Sequence, residues 1–542
     1  MNIKNEIKIH ILDAVKNLQN EGVFSHFEIP EFEVERPLEG AFGDYSANIA
    51  LKLSKVLNLN PRDIAGKLKD EISRSDNGKI FSKADVAGPG FLNLYLSDDF
   101  VSGKISEAKK EGENFGSSDI GKGKKILIEF ISANPTGDLH LGHGRGAFFG
   151  DALANVLSFS GFLVTKEFYV NDSKKSTQIL ELGKTALGKG ESYKTEKLLE
   201  KIKMLEGELS EAKDEADAGS VLARELLRDM QGLVKNKLKI DFDSWFSEQK
   251  ELYETGKVDE IYDFLKKKGL IFEKEGAEWL KLSEYGDSED RVIVRSDEKK
   301  SPTYLLPDIA YHKNKIERGF DKLINIWGAD HQGHVKSMQA VMNFFCEKNK
   351  LEVFITQMVA LKDEGERFKL SKRTGKIVTM EWLVDEVGID SARFFYLLKS
   401  IDTQMEFDLA LAKEQSEKNP IFYVQYAHAR IASILRKAEE EGYDLDGAGY
   451  ELSGKEEERK LALEILKFPE VIENIAELAN MQTLPHYTLE LARKFHSFYA
   501  SCRVLGNENK NIDISRIALI KSAKQTLKNA LSLIGVSAPE KM

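Results

Sequence analysis

Apolar positions recur at helical spacing near both ends of the chain and gather into short strand-like runs through its middle. Near the N-terminus, residues 3–18, 47–57 and 61–72 alternate charged and apolar side chains with a helical period. Pro61 behind Asn60 marks a helix start, with Asn60 as the capping side chain. Two short strands are predicted on either side of Gly88-Pro89-Gly90, and the polar, glycine-rich stretch 112–124 is predicted as a linker. A buried strand follows at Ile126-Leu127-Ile128. It runs into a turn at Asn134-Pro135-Thr136-Gly137 and a long helix from near Leu139 to Gly161. Further strands at 163–169, 323–327 and 353–357 alternate with helices, the pattern of a doubly wound parallel sheet. Residues 179–241 are highly charged and helical. Their apolar repeat is too short for a coiled coil and is interrupted by Gly219, so a helical insertion at about 179–300 is predicted. From about Asp390 only amphipathic helices remain. The expected fold is multidomain α/β: a small N-terminal α/β domain (1–110), a Rossmann-like doubly wound core (111–390) and a C-terminal α-helical bundle (391–542).

Bulk properties add constraints. The chain of 542 residues has room for three or four domains. Its formal charge of −11 argues against a nucleic-acid binder. Residues 491–530 run the other way, with eight Lys/Arg against Glu508 and Asp513 and with Phe495, Phe498 and Tyr499 nearby. A polyanion surface and a solvated helix face explain that stretch equally well. Cys346 and Cys502 lie far apart in apolar helical contexts, which favours reduced thiols over a disulfide. No signal sequence and no apolar run of membrane-spanning length is visible, so a soluble cytoplasmic protein with no membrane association is expected.

The strand–turn–helix unit ending at Gly161 places backbone N–H groups at the carboxyl edge of a sheet, where nucleotides bind. His140 and His143 lie one turn apart on the same side of that helix start. Gly142, Gly146 and Gly150 recur every four residues and leave a bare stripe for a flat group or another backbone. As a metal pair the two histidines lack a nearby third ligand. No carboxylate cluster is visible either, and no protein-bound metal is expected. Farther on, Lys369-Leu370-Ser371-Lys372-Arg373 sits between Gly365 and Gly375; alone it is a basic turn.

His140-Leu141-Gly142-His143 resembles the HIGH signature of class I aminoacyl-tRNA synthetases, and Lys369-Leu370-Ser371-Lys372-Arg373 resembles their KMSKS loop. Ser132-Ala133-Asn134-Pro135-Thr136-Gly137 and Gly144-Arg145 resemble the arginyl-tRNA synthetase version of the site. Phe42-Gly43-Asp44-Tyr45-Ser46 and Gly90-Phe91-Leu92-Asn93 are similar to that family's N-terminal module, which touches the tRNA elbow. Asp390-Ser391-Ala392-Arg393 and the stretch from Tyr423 to Arg430 are similar to its anticodon-binding bundle. The resemblance runs across nearly the whole chain.

It implies a ligase that uses ATP to make arginyl-adenylate from L-arginine and transfers the arginyl group to the 3′ end of tRNA(Arg), with activation only when tRNA is present. His140, His143, Lys369 and Lys372 would be catalytic. ATP, with Mg²⁺ arriving on it, would meet His140, Gly142, His143, Gly328, Asp330, Met358, Lys369, Ser371 and Lys372. Glu129, Ser132 and Asn134 would take the ammonium and carboxylate end of arginine, and Tyr304 and Asp308 the guanidinium. A glutamine in the family faces the guanidinium near Asp330, which leaves His331 and Gln332 both as candidates. Tyr426, Arg430, Arg493 and Arg503 would face tRNA, and the family implies a monomer. Two other readings compete: a class I synthetase for another amino acid such as cysteine, which needs zinc-ligating cysteines, and a tRNA-binding scaffold without catalysis, for which His140, His143, Lys369 and Lys372 have no use.

Overall fold

Five strands form one all-parallel sheet in the order Leu351–Thr356, Lys322–Gly328, Lys125–Glu129, Leu163–Val170, Ser244–Ser247. The computed structural model describes residues 2–37, 42–298, 300–345, 347–363, 366–367, 378–445 and 449–542. The first of these strands in sequence lies at the centre. Two strands are added on one side before the chain crosses to the other. The switch between Lys125–Glu129 and Lys322–Gly328 opens a crevice at their carboxyl ends, where open α/β sheets bind ligands. The Leu141–Phe159 helix packs over this point, almost wholly buried.

The long strands match the hydrophobic pattern closely, but two short ones do not follow it. Ser244–Ser247 completes the central sheet from inside the stretch expected to be a helical insertion. Residues 271–294 of that stretch form a separate three-stranded antiparallel sheet, so it is helical only up to the end of Lys257–Lys267. Met405–Asp408 pairs with Val359–Asp363 beyond the point where strand signals end. Ser244–Ser247 and Met405–Asp408 are each four residues long, too short to display a period.

Gly219 does not interrupt its helix. It lies inside Glu215–Asn236, which crosses Thr177–Ala186 backbone to backbone. A Cβ on Gly219 would sit 2.0 Å from the Ile179 carbonyl oxygen, and one on Gly183 would sit 1.7 Å from that of Glu215. Helix propensity alone makes Gly219→Ala stabilising by about 1 kcal/mol. The crossing instead predicts a net loss of about 1–3 kcal/mol from overpacking, read as a lower Tm.

The N-terminal unit is a four-stranded antiparallel sheet flanked by the helices Ile3–Asn20, Ile49–Leu57, Pro61–Asp76 and Asp98–Glu111. It docks on the C-terminal helices through polar contacts. Arg36 donates to both Glu470 oxygens (3.1 and 3.0 Å), and Arg459 donates to Asp44 (2.6 Å) and to the Leu96 carbonyl (3.0 Å). Tyr45 is fully buried in this interface, whereas Phe42 and Phe91 are exposed.

At the other end, helices including Pro420–Glu440, Thr483–Ser501 and Lys510–Leu533 pack as a bundle. The fully buried Arg393 fastens it to the core. Its guanidinium bonds to Asp151 (2.7 Å) on the Leu141–Phe159 helix and to the carbonyls of Leu238 (2.8 Å), Lys239 (2.9 Å) and Ile534 (3.3 Å). Cys502 is a buried free thiol; Cys346 lies outside the described residues. Among the described residues no helix is long and apolar enough to cross a membrane.

Candidate active site

The central strand ends at Glu129, and the chain leaves it through two consecutive non-glycine residues in the left-handed region, Ile131 (φ 67°) and Ser132 (φ 42°). A β-branched residue there is an outlier costing about 1–3 kcal/mol, and such strain clusters at ligand sites. The turn then delivers His140 to the helix N-cap. His140 Nδ1 accepts from the Gly142 N–H (3.1 Å), and His143 Nδ1 accepts from the His140 N–H (3.0 Å), which closes a capping box. With both Nδ1 atoms accepting, each neutral imidazole carries its proton on Nε2 and offers one N–H donor. Burial lowers the pKa of both rings, that of His143 to about 3 with His140 adding to the effect, so both stay neutral at physiological pH.

The glycine stripe serves this geometry unevenly. A Cβ on Gly142 would lie 2.9 Å from His140 Cε1, so glycine there lets His140 fold back onto the cap. A Cβ on Gly150 would lie 2.5 Å from the Phe130 ring and one on Gly146 3.3 Å from Ile326; these two glycines seat the helix on the sheet. Lys369, Ser371 and Lys372 lie outside the described residues. The segment that follows them is tied to the histidine turn: the Met380 N–H donates to the Leu139 carbonyl (2.8 Å) and that of Leu141 to the Val378 carbonyl (3.3 Å).

Two cavities open over the switch point. The first, about 450 Å³, is lined by His140, Gly142, His143, Gly328 and Met358 among others. The second, about 490 Å³, is lined by Glu129, Ser132, Asn134, Tyr304, Asp308 and His331. Both are of ligand size. They share Ile131, Ile326, Trp327 and Gly328 as walls and so form one cleft. Asp330, expected on the nucleotide side, lines the second cavity instead, although its charge reaches both histidines. Gln332 lines neither cavity. It is exposed on the Ala329–His334 turn, whose tight winding leaves it in solvent while His331 and His334 reach the cleft.

The second cavity is rich in acceptors. Asp308 sits in the first turn of Leu305–Glu317, one turn from Tyr304, with Oδ2 at 2.9 Å from His334 Nε2. Glu129 Oε2 accepts from Lys315 (2.6 Å), and its other oxygen has no hydrogen-bond partner among the described residues. Ser132 Oγ accepts from the Tyr169 N–H (3.2 Å). Two further wall residues, Glu248 and Gln178, carry no local signal in the sequence. Glu248 follows the unpredicted Ser244–Ser247 strand and accepts from the Tyr169 hydroxyl (2.8 Å). Burial raises its pKa to about 8, and the charges of Asp308 and Asp172 add to that rise. Asn171 Oδ1 and Gln178 Oε1 are buried on the same wall with no protein hydrogen-bond partner. Unpaired buried acceptors are rare, and a wall of them suits a cationic ligand with many N–H donors.

On the bundle, Tyr426 stacks on His496 (centroids 6.0 Å), and Arg430 reaches the Tyr499 hydroxyl (3.1 Å) with its guanidinium 5.1 Å from that ring centroid. Arg493, exposed on the Thr483–Ser501 helix, pairs with Glu490 (3.0 Å). Arg503 lies past the end of that helix and donates to the Leu505 carbonyl (2.8 Å). The positive excess expected at 491–530 is reduced in space by acids from elsewhere. Lys494 pairs with Glu490, Lys524 with Glu540 and Lys528 with Glu113.

A doubly wound parallel sheet with a histidine-capped helix at its switch point and a helical bundle behind it defines the class: a class I aminoacyl-tRNA synthetase. The family model for "tRNA synthetases class I (R), catalytic domain" matches residues 104–220 and 184–408. The models for "Arginyl tRNA synthetase N terminal domain" and "DALR anticodon binding domain" match 5–96 and 424–542. The arginine–tRNA ligases of Bacillus velezensis and Bacillus subtilis are each 42% identical to this chain, over 100% of it and 98% of their own length. That of Listeria monocytogenes is 41% identical, with 100% of both covered. The structure of Thermus thermophilus arginyl-tRNA synthetase superposes with a TM-score of 0.76 at 22% identity, covering 100% of each chain. The chain belongs to the arginyl-tRNA synthetase family.

Proposed function

We propose that the joined cavities are the two halves of one adenylation site, with the nucleotide beside the histidine pair and arginine against the acidic wall. The activity is that of an arginine–tRNA ligase, which charges tRNA with arginine at the expense of ATP for protein synthesis. In the first step the arginine carboxylate attacks the α-phosphorus, and the bond to the pyrophosphate oxygen breaks. In the second, a 3′-terminal hydroxyl of tRNA attacks the carbonyl and AMP leaves. Neither step needs a protein nucleophile. The protein positions the reactants and offsets charge on the phosphates.

His140 and His143 donate Nε2–H bonds to phosphate oxygens at a helix start whose dipole favours anions. Lys369 and Lys372 bring positive charge to the leaving pyrophosphate, and Mg²⁺ enters bound to ATP. The free oxygen of Glu129, with Ser132 and Asn134, takes the amino-acid end. Asp308 and Glu248, with Tyr304, face the guanidinium. The observation that carries this assignment is the continuity of the acceptor-lined cavity with the one beneath the histidines. We assign residues 1–110 to an N-terminal domain contacting the tRNA elbow, 111–390 to the catalytic domain with its insertion at about 179–300, and 391–542 to anticodon binding around Tyr426, Arg430, Arg493 and Arg503. A cytoplasmic monomer completes the proposal.

Exchange of labelled pyrophosphate into ATP tests the assignment. Signal is expected with arginine and tRNA together and with no other amino acid; signal with a second amino acid at comparable efficiency contradicts it. The acidic wall adds a pH dependence. A guanidinium binds ionised Glu248 in preference to the acid, so a proton must leave whenever the pH is below about 8. Burial and the charges of Asp308 and Asp172 keep the proton on this carboxyl, against the Tyr169 hydroxyl bond, which favours the ionised form. The KM for arginine is therefore expected to fall as pH rises from 6.5 to 8, by up to about tenfold per unit, and then to level. Glu248→Gln is expected to flatten that slope.

A further inference from the structure

Beneath the acidic wall runs a polar chain that the reaction itself does not use. Asp308, His312 and Lys315 succeed one another along one face of the Leu305–Glu317 helix, and Asn325 lies opposite on the Lys322–Gly328 strand, in register with Glu129 on the central strand. His312 Nδ1 donates to the Asp308 carbonyl (2.8 Å), and His312 Nε2 accepts from Asn325 Nδ2 (2.9 Å). Asn325 Oδ1 accepts from Lys315 Nζ (2.9 Å), which also donates to Glu129 Oε2 (2.6 Å). Lys315 donates to both sides, and from it each link fixes the polarity of the next, through Asn325 and His312 to the Asp308 carbonyl. His312 is 2% exposed, and Lys315 and Asn325 are 0% exposed.

We propose that His312, Asn325 and Lys315 are a buried spacer that sets the separation of Glu129 from Asp308, and with it the length of side chain the site accepts. This rests on the assignment of those two acids to opposite ends of arginine. Lys315 and Asn325 line neither cavity, and His312, at the edge of the second, has both ring nitrogens committed to the chain; they are positioning residues. Stability alone gives no reason for the chain. Asn325 stands between the buried Ile324 and Ile326 in a strand whose other core positions are apolar, and a buried ion pair such as Lys315–Glu129 can often be replaced as a whole by apolar side chains without loss. Burial also holds His312 well below its ordinary pKa, neutral and in the one tautomer that the chain requires. The Lys315 ammonium lies 4.1 Å from the Tyr311 ring centroid, so its reach toward Glu129 is constrained from a second side.

Steady-state kinetics of the full chain with tRNA, using L-arginine and L-homoarginine (one methylene longer), test the spacer. Asn325→Leu is expected to raise the KM for arginine by on the order of 10²-fold, the effect of a displacement near 1 Å. The KM for ATP is expected to hold, and the preference for arginine over homoarginine to shrink at least roughly fivefold. His312→Leu is expected to behave in the same way. His312→Gln, which keeps a donor toward Asp308 and an acceptor toward Asn325, is expected to recover most of both losses. A folded Asn325→Leu enzyme with unchanged arginine KM and unchanged preference overturns the proposal. Should Asn325→Leu fail to fold, equal KM values for His312→Leu and His312→Gln overturn it. Glu129→Gln separates the underlying assignment, because an unaltered arginine KM there removes the substrate role of Glu129 whatever the spacer variants do.

Discussion

Asp308→Ala is expected to lower kcat/KM for arginine by about 10³-fold while the KM for ATP moves less than about threefold. The carboxylate stands in the first helical turn at the edge of the cleft, held on one oxygen by His334 and open to the cavity. Removing it takes away a charge-assisted bond to a planar cation that has no other use for that pocket. It also frees His334, which then points an unpaired donor at the guanidinium. Asp308→Asn keeps a partner for His334 and is expected to lose less. His143→Ala is the counterpart on the nucleotide side, expected to slow adenylate formation and to spare tRNA affinity. Parallel loss of arginine use and ATP use in Asp308→Ala would instead mark Asp308 as a residue that only supports the fold.

Arg393→Met is expected to destabilise the protein by about 3–5 kcal/mol in chemical denaturation. The guanidinium is wholly enclosed and is the meeting point of the histidine helix, residues 238–239 and the exit of the last long helix. Methionine fills much of the volume but leaves the Asp151 carboxylate short of a buried partner and leaves three carbonyls without a donor. Lys166, at 3.2 Å from Asp151, compensates only in part from its half-buried position. Adding Asp151→Asn is expected to recover part of the loss, since the uncompensated charge is then gone. A loss below about 1 kcal/mol would show that the bundle is held by its apolar contacts alone.

What the sequence made legible follows from the range over which each signal acts. Ile126-Leu127-Ile128, the Asn-Pro-Thr-Gly turn and Gly161 are local marks, and they placed the strand, the turn and the histidine helix. Asp308 and Tyr304 were legible only through resemblance to a family, because nothing in their spacing distinguishes a cation site from a helix cap. Glu248 follows a strand too short to show alternation, and Lys315 looks like a surface lysine on its helix, though it is buried against Glu129 far away in sequence. Gly142, Gly146 and Gly150 announced a close approach but not its partner, which for the last two is the sheet. The positive stretch at 491–530 was only partly legible for the same reason: Glu113 lies more than four hundred residues from Lys528, with which it pairs. Local pattern identified the elements, and pairing between distant segments decided what each one faces.

The most direct test of the cleft assignment is a crystal structure of the enzyme with a non-hydrolysable arginyl-adenylate analogue. Its guanidinium is expected within hydrogen-bonding distance of Asp308 and Glu248, its α-ammonium at Glu129, and its adenosine beside Gly142 and His143. A guanidinium seated away from Asp308 and Glu248, or an adenosine lodged against them, would contradict the account.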